Sequence, residues 1–253
     1  EAVGTPITAA RLEVKLPRIG LYQSWVASMD EGWTRWIFDQ NGIPYTRLVD
    51  DEIRKGNLSD RFDVIILPDN SAAAITKGSI GRGEGNEGGP PVPPEFKDGL
   101  GEKGTAALHT FAETGGTIVT LNRASTVYAT KDSTQVKNIV EGVTNRDFYI
   151  PGSILEVKVD TSHPIGFGAP TTIPIFFEQS PAFDVRGDAR SIANYASDNP
   201  LRSGWILGGK YLVGNSALAE EPIGRGRVIL FGFRPQYRAQ SEVTYKLFFN
   251  SLF

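Results

Sequence analysis

Six polar residues stand just after apolar segments that have the length and composition of buried strands. The segments are residues 63–67, 117–121 and 227–232, and the polar residues are Asp69, Asn70, Asn122, Arg123, Arg234 and Gln236. In a doubly wound α/β sheet, ligands bind outside the carboxyl ends of the strands. We therefore expect the six side chains to converge on one polar site. Their amides and charged groups suit the binding of a small molecule, a glycan or a peptide.

Residues 115–125 are the most informative stretch of the chain. A glycine pair ends a helix there, because glycine adopts the left-handed backbone of a C-cap. Five uncharged residues then predict a buried strand, which turns sharply toward another helix. A nucleophile elbow has this course and carries Ser or Cys at the bend. Asn122 and Arg123 occupy the bend here, so the sequence predicts the elbow without its reactive atom.

Other reactive groups are few. The chain has no Cys, which excludes thiol nucleophiles, disulfides and thiolate metal sites. Its two histidines, His109 and His163, begin neither an H-x-x-E nor an H-E-x-x-H motif. A histidine-based catalytic zinc site is therefore not expected, and we expect no cofactor in this chain. His163 lies in a turn-like setting before Pro164, where a structural role is the favoured interpretation.

Composition argues against two classes of partner. The chain has 253 residues and a formal net charge of −3, without a basic face, so nucleic acid is not an expected partner. No apolar run approaches the ~18 residues of a membrane span. Hydrophobic residues make up 40% of the chain, which is enough to build the core of one large domain.

The alternation of strand-like and helix-like segments indicates an α/β fold with a doubly wound, mainly parallel sheet. Residues 1–17 show no clear period and are interpreted as a linker or lead-in. Residues 18–253 are interpreted as a single α/β domain. From residue 153 the pattern changes to short alternating strands, so residues 153–221 are predicted to be a β-rich insertion.

Two further features each have two interpretations. Trp33 and Trp36 lie at helical spacing after the capping sequence that starts at Ser28. They could form a ligand platform, but a stripe that packs on the sheet is the favoured interpretation. Residues 76–103 are rich in Gly and superficially resemble a phosphate cradle. A cradle must join a strand directly to a helix, so we interpret this segment as a mobile surface loop.

Several long blocks resemble one known family. They are RIGLY (18–22), MDEGWTRW (29–36), FDVIILPD (62–69), the segment 115–125, NPLRSGW (199–205) and GRVILFGFRPQ (226–236). Together they look like the C-terminal domain of bacterial zinc carboxypeptidase-like proteins, a domain of the class I glutamine amidotransferase-like fold. The resemblance spans nearly the whole chain.

The resemblance implies a flavodoxin-like sheet, attached in the full-length protein to a peptidase domain that lies outside these residues. It implies that zinc is held only by that peptidase domain, and that the protein is periplasmic or extracellular. The amidotransferase Cys would fall near Asn122 or Arg123, and its His between Arg234 and Glu242. The sequence has neither, so no catalytic residue can be carried over.

Three functional hypotheses follow. The leading one is a non-catalytic accessory domain that docks on the parent peptidase domain in cis or helps to recognise its substrate. The second is a small-molecule or glycan/peptide-binding module that uses the strand ends. The weakest is a divergent amidase or hydrolase that uses Ser125 or Asp69 with water, because no base is paired with either residue. The start at Glu1, without Met, leads us to expect an excised domain or a mature product.

Overall fold

The structure, a computed structural model, describes residues 15–78, 91–195, 197 and 199–253. Most of the predicted lead-in and residues 79–90 of the predicted loop lie outside this part of the chain. The described strands are β1 (Ile19–Tyr22), β2 (Thr46–Leu48), β3 (Val64–Leu67), β4 (Thr117–Leu121), β5 (Val136–Asn138), β6 (Ser153–Val159), β7 (Thr172–Phe177), β8 (Phe183–Val185), β9 (Arg190–Asn194), β10 (Leu201–Ser203), β11 (Ser216–Ile223) and β12 (Gly226–Phe231).

The α-helices of the same ranges are α1 (Met29–Gln40), α2 (Asp50–Arg54), α3 (Ala72–Lys77), α4 (Gly101–Glu113) and α5 (Glu242–Asn250). Short 3₁₀ helices lie between them, and two of these bear on the site, Pro94–Phe96 and Asn122–Val127. Among the described residues, no helix is both long enough and apolar enough to cross a bilayer.

The strands form one mixed sheet. Its parallel half has the order β2-β1-β3-β4-β12, which is the flavodoxin-like order. Beyond β12 the sheet continues through the antiparallel strand β11 to β9 and β6, and β5, β7, β8 and β10 pair alongside them. The strands within residues 153–221 therefore extend the same sheet. That this segment was inserted into the fold stays a prediction.

Apolar side chains of the parallel strands alternate between the two faces of the sheet, and helices cover both. On β3, Val64 and Ile66 pack with α1 and α5, whereas Ile65 and Leu67 pack with α2, α3 and α4. Phe38 of α1 stacks on Phe248 of α5 with a centroid distance of 5.7 Å. Strands covered on both faces explain the continuous apolar segments of the sequence.

Helix α1 begins as predicted, but its buried face differs from the expected one. Ser28 is the N-cap, and its hydroxyl accepts a hydrogen bond from the Glu31 amide. The prediction that Trp33 and Trp36 form a core stripe is wrong, because Trp36 is 47% exposed and Trp33 is only partly buried. The face that packs inward instead carries Asp30, Glu31, Thr34, Ile37 and Phe38. A helix buries one stripe, and in α1 that stripe is partly polar.

The prediction of a surface loop over residues 76–103 is wrong at its two ends. Helix α3 continues to Lys77, and α4 starts at Gly101. Phe96 and Leu100 are buried between these helices and the sheet, because each is a large apolar side chain next to an apolar cluster.

Candidate functional site

The bend after β4 has the course expected of an elbow. Asn122 follows the strand directly with a φ of +52°, and the chain then enters the 3₁₀ helix Asn122–Val127. This left-handed conformation is uncommon for residues other than Gly, and Asn tolerates it better than most. The Asn122 side chain is fully buried, so the bend faces protein on the side where an elbow would hold its nucleophile.

The carboxylate of Asp69 is the hub of the site. Its Oδ1 accepts hydrogen bonds from Asn122 Nδ2 at 3.0 Å, the Arg123 amide at 3.1 Å and Arg123 Nε at 2.9 Å. Its Oδ2 accepts from Arg123 Nη2 and Arg234 Nη2, both at 2.8 Å. Asp69 is 4% exposed, so these bonds replace nearly all of its contact with water.

Arg234 joins a second group of acids to this hub. Its Nη1 lies 2.7 Å from Glu178 Oε2, beyond the end of β7, and its guanidinium lies over the Tyr237 ring at 5.4 Å. Its Nε lies 3.4 Å from Asp30 Oδ2 on α1, but neither atom makes a hydrogen bond. Arg234 therefore ties the ends of β12, β3 and β7 together and faces one buried carboxylate without a hydrogen bond.

The two buried acids titrate in opposite directions. Burial alone would raise the pKa of Asp69, but the hydrogen bonds and charges of Arg123 and Arg234 outweigh it and hold this pKa below its usual range. Burial raises the pKa of Asp30 to about 6, because the nearby charge of Arg234 compensates only in part. The same hydrogen bonds to Asp69 raise the pKa of Arg123.

The six predicted residues fall into three groups. Asp69, Asn122, Arg123 and Arg234 meet in the buried network. The Gln236 amide donates instead to Thr34 Oγ1 at 3.0 Å and to the Asp30 carbonyl at 3.3 Å, so it fixes α1 rather than joining the hub.

Asn70 turns away from the network toward the loop between β1 and α1. Its Nδ2 donates to Ser24 Oγ at 2.9 Å and to the Val26 carbonyl at 3.1 Å. Ser28 Oγ in turn donates to the Asp69 carbonyl at 2.7 Å. The residues after β3 thereby hold the loop after β1 in place.

An open cleft of about 440 Å³ lies beside this network. It is formed at the carboxyl ends of β1 and β3 and at the N-terminus of α1, where the strand order of the sheet reverses. Ligands of doubly wound folds bind at such a switch point. Its wall combines aromatic rings, guanidinium groups and small polar side chains, among them Trp25, Phe96, Arg35, Arg47, Ser24 and Asn70.

Several groups on the cleft wall are fixed by the protein, and two lack partners. Trp25 packs against Phe96 with a centroid distance of 5.6 Å. Glu31 Oε2 pairs with Arg35 at 2.8 Å, whereas Glu31 Oε1 and Gln23 Oε1 are buried without a hydrogen-bond donor. Buried acceptors are rarely left without a donor in proteins, so a ligand or an ordered water is expected to supply one.

Sequence reasoning missed the parts of the site that come from other segments. Glu178 follows a strand, and the rule used for Asp69 would have found it had residues 172–177 been assigned to the sheet. Asp30 was assigned only to the cap of α1. Trp25, Arg47 and Phe96 carry no local signal, because they meet only when three separate segments fold together.

The remaining reactive side chains have structural partners. Ser125 is fully buried, and its hydroxyl donates to the Phe231 carbonyl at 2.9 Å and lies 2.9 Å from Thr120 Oγ1. His163 accepts a hydrogen bond from the Ile165 amide through Nδ1, which caps the following turn. Within the described ranges, no group of three or more His, Asp or Glu side chains is arranged to hold a metal ion.

No protein-family model and no curated protein sequence matches the chain. Among solved structures, a ThuA-like protein from Bacteroides uniformis is similar, with a TM-score of 0.51 and 12% identity over 97% of this chain and 94% of its own. A GMP synthase subunit from Thermoplasma acidophilum has a TM-score of 0.55 and 11% identity, over 95% of this chain and 94% of its own. The fold is glutamine amidotransferase-like.

The amidotransferase-like fold also occurs as part of a longer chain. A β-galactosidase from Bacillus circulans matches 92% of this chain with a TM-score of 0.54 and 12% identity, but over only 30% of its own length. At such identities the likeness shows the fold and nothing about activity. The expected flavodoxin-like, amidotransferase-like architecture is thus confirmed, whereas no comparison connects the domain with zinc carboxypeptidase-like proteins.

We predict that Asp69→Asn destabilises the domain strongly. The substitution leaves Arg234 buried beside an uncharged group, and the new amide cannot accept all five hydrogen bonds. A loss of about 3–5 kcal/mol in the free energy of unfolding is expected, measured by urea denaturation. The control is Asp63→Asn, which removes the exposed pair with Arg18 and should cost at most about 1 kcal/mol. Equal losses in the two variants would contradict the role of Asp69 as the hub.

We predict that Asp30→Asn removes a pH dependence. The pKa of Asp30 in the folded domain is about 6, above its unfolded value, so its contribution to stability is full below about pH 4 and falls as the pH rises to about 6. At pH 8 the variant should therefore be more stable by up to about 3 kcal/mol, and near pH 4 it should match the parent. Denaturation curves from pH 4 to pH 8 measure this, with Asp39→Asn on the exposed side of α1 as control. A destabilised variant at pH 8 would refute it.

Proposed function

We propose that this amidotransferase-like domain is a non-catalytic binding module that holds a small polar ligand in the cleft at the β1–β3 switch point. In this proposal the cleft selects the ligand and the buried network of Asp69, Arg123 and Arg234 keeps the strand ends in place. The observation that carries the proposal is the division of the strand ends into a closed, ion-paired elbow and an open, polar cleft beside it.

The state of the elbow supports the non-catalytic half of the proposal. The amide of Asn122, at the position of a nucleophile, donates both to Asp69 and to the Glu178 carbonyl at 3.3 Å. An amide nitrogen held in this way cannot attack a substrate, and a nucleophile needs an adjacent base. The Ser125 hydroxyl is bonded to main chain, which leaves the divergent amidase hypothesis without a supporting contact.

The cleft supports the binding half. Ligand sites are concave, combine apolar walls with a few placed polar groups and occur at switch points of α/β sheets. This cleft offers an aromatic pair, Trp25 and Phe96, together with Arg47, whose guanidinium lies 6.0 Å from the Phe96 ring centre. The hydrogen bonds of Asn70 and Ser28 hold its floor before any ligand arrives, which lowers the entropy cost of binding.

We further propose that the module serves a catalytic domain in the same chain, a zinc carboxypeptidase-like peptidase outside residues 1–253, in a periplasmic or extracellular protein. The support is the resemblance of the sequence blocks, together with a fold that can form one part of a longer hydrolase chain. The coding sequence on either side of these residues tests this: an H-x-x-E zinc motif is expected there, and its absence would remove the peptidase from the proposal.

Binding in the cleft can be tested by filling it. Ala27 is exposed on the cleft wall, so Ala27→Trp should occupy the space of a ligand without disturbing the core. We expect a panel of amino acids, dipeptides, dicarboxylates and disaccharides to contain at least one probe that shifts the backbone amide NMR signals of Trp25 and Ser28. In Ala27→Trp the apparent affinity should fall by about tenfold or more, since one blocked anchor commonly costs over 1 kcal/mol.

The matched control is Ala106→Trp, at an exposed position of α4 away from the cleft, which should bind like the parent. A panel without any such probe would contradict the proposed cleft, and so would equal binding by both tryptophan variants.

The purified domain is expected to show no hydrolysis. Incubation with zinc and peptide substrates should release no amino acid above the buffer rate, and incubation with glutamine should release no ammonia. The reason is that no described nucleophile has a base beside it. Turnover that disappears in Ser125→Ala would overturn the non-catalytic assignment.

A further inference from the structure

The outward face of α1 carries an apolar stripe that the protein does not cover. Met29 is 63% exposed and Trp36 is 47% exposed, with the partly buried Trp33 between them. These residues follow one another at steps of four and three, so they share one side of the helix. The two indole rings stand edge to face, with centroids 6.4 Å apart and planes at 75°, and each therefore limits the orientation of the other.

This stripe is continuous with the cleft. Met29 and Gly32 both line the cleft, and Trp33 and Trp36 stand one turn further along the helix from them. The path from Met29 to Trp36 covers seven residues, or roughly 10 Å along the axis. That distance is comparable to a disaccharide unit, so a ligand that enters the cleft and is longer than one such unit would run over the tryptophans.

The chemistry of the path is that of a site for neutral, ring-shaped, hydroxyl-rich ligands. Flat aromatic faces at Trp25 and Trp36 match the C–H faces of sugar rings. The acceptors Glu31 Oε1 and Gln23 Oε1, which have no donor in the protein, match sugar hydroxyl groups, which donate. The charge of Arg35 is already paired with Glu31, so the path does not demand an anion.

We infer that the cleft and the α1 tryptophans together bind a neutral oligosaccharide of β-1,4-linked pyranose rings, one end of which lies in the cleft while the chain continues over Trp36. Linkages of this type keep the rings extended and present their flat C–H faces. The inference rests on the proposed function, because it names the ligand class of the same cleft. It adds the second contact surface on α1, which the proposed function does not require.

The test uses four probes: the hexamers and dimers of β-1,4-linked glucose and of β-1,4-linked N-acetylglucosamine. Calorimetric titration of the parent domain should show binding of at least one hexamer, and more weakly of its dimer. Trp36→Ala should weaken the hexamer roughly tenfold or more, as loss of an aromatic anchor does, and leave the dimer unchanged.

The matched control is Trp205→Ala. Trp205 is 63% exposed and does not line the cleft, so its loss should leave both affinities unchanged. Both residues are on the surface, so the variants should unfold at the parent temperature, which a thermal melt checks.

The outcomes separate this inference from the proposed function. If none of the four sugars binds while an amino acid, dipeptide or dicarboxylate still shifts the amide signals of Trp25 and Ser28, the oligosaccharide inference is wrong and the binding module stands. If no probe of either panel binds, both are wrong. Hexamer affinities that are equal in Trp36→Ala and Trp205→Ala would overturn the part of the inference that concerns α1.

Discussion

The carboxylate of Asp69 is the interaction on which the ligand-binding edge depends. It neutralises Arg123 and Arg234 at once and accepts five hydrogen bonds from groups that follow two other strands. A buried ion group of this kind must be almost fully satisfied to be tolerated, because each unpaired charge would cost several kcal/mol. The ends of β3, β4 and β12 are thereby held at fixed spacing, and the elbow is closed to substrate.

The same segment also shapes the open cleft. The main chain and side chain of residues 69 and 70 hold Ser28 and Ser24, which lie on the loop between β1 and α1. The network and the cleft are therefore two sides of one structure, with the ion pairs on the inner side and the ligand surface on the outer side. Asp30 is the cost of this arrangement, because α1 brings its carboxylate into a buried position that Arg234 satisfies only in part.

The sequence by itself determined the parallel half of the fold. Short uncharged apolar segments at residues 63–67 and 117–121 require strands covered on both faces, and the intervening helical segments require a doubly wound arrangement. It also determined that Asp69, Asn122, Arg123 and Arg234 meet, because residues after parallel strands share one edge of the sheet. The absence of Cys and the two isolated histidines fixed, from composition alone, which nucleophiles and metal ligands the chain lacks.

Only the tertiary structure decided which polar groups are spent and which are free. Helical spacing places Trp33 and Trp36 on one side of α1 but not the side that faces the sheet, and packing turned the partly polar stripe with Asp30 inward. Glu178 reaches Arg234 from a strand far along the chain, and such long-range ion pairs leave no local pattern. The cleft is likewise decided by packing, since its wall joins the loop after β1, strand β2 and the segment around Phe96, which meet only after the sheet has formed.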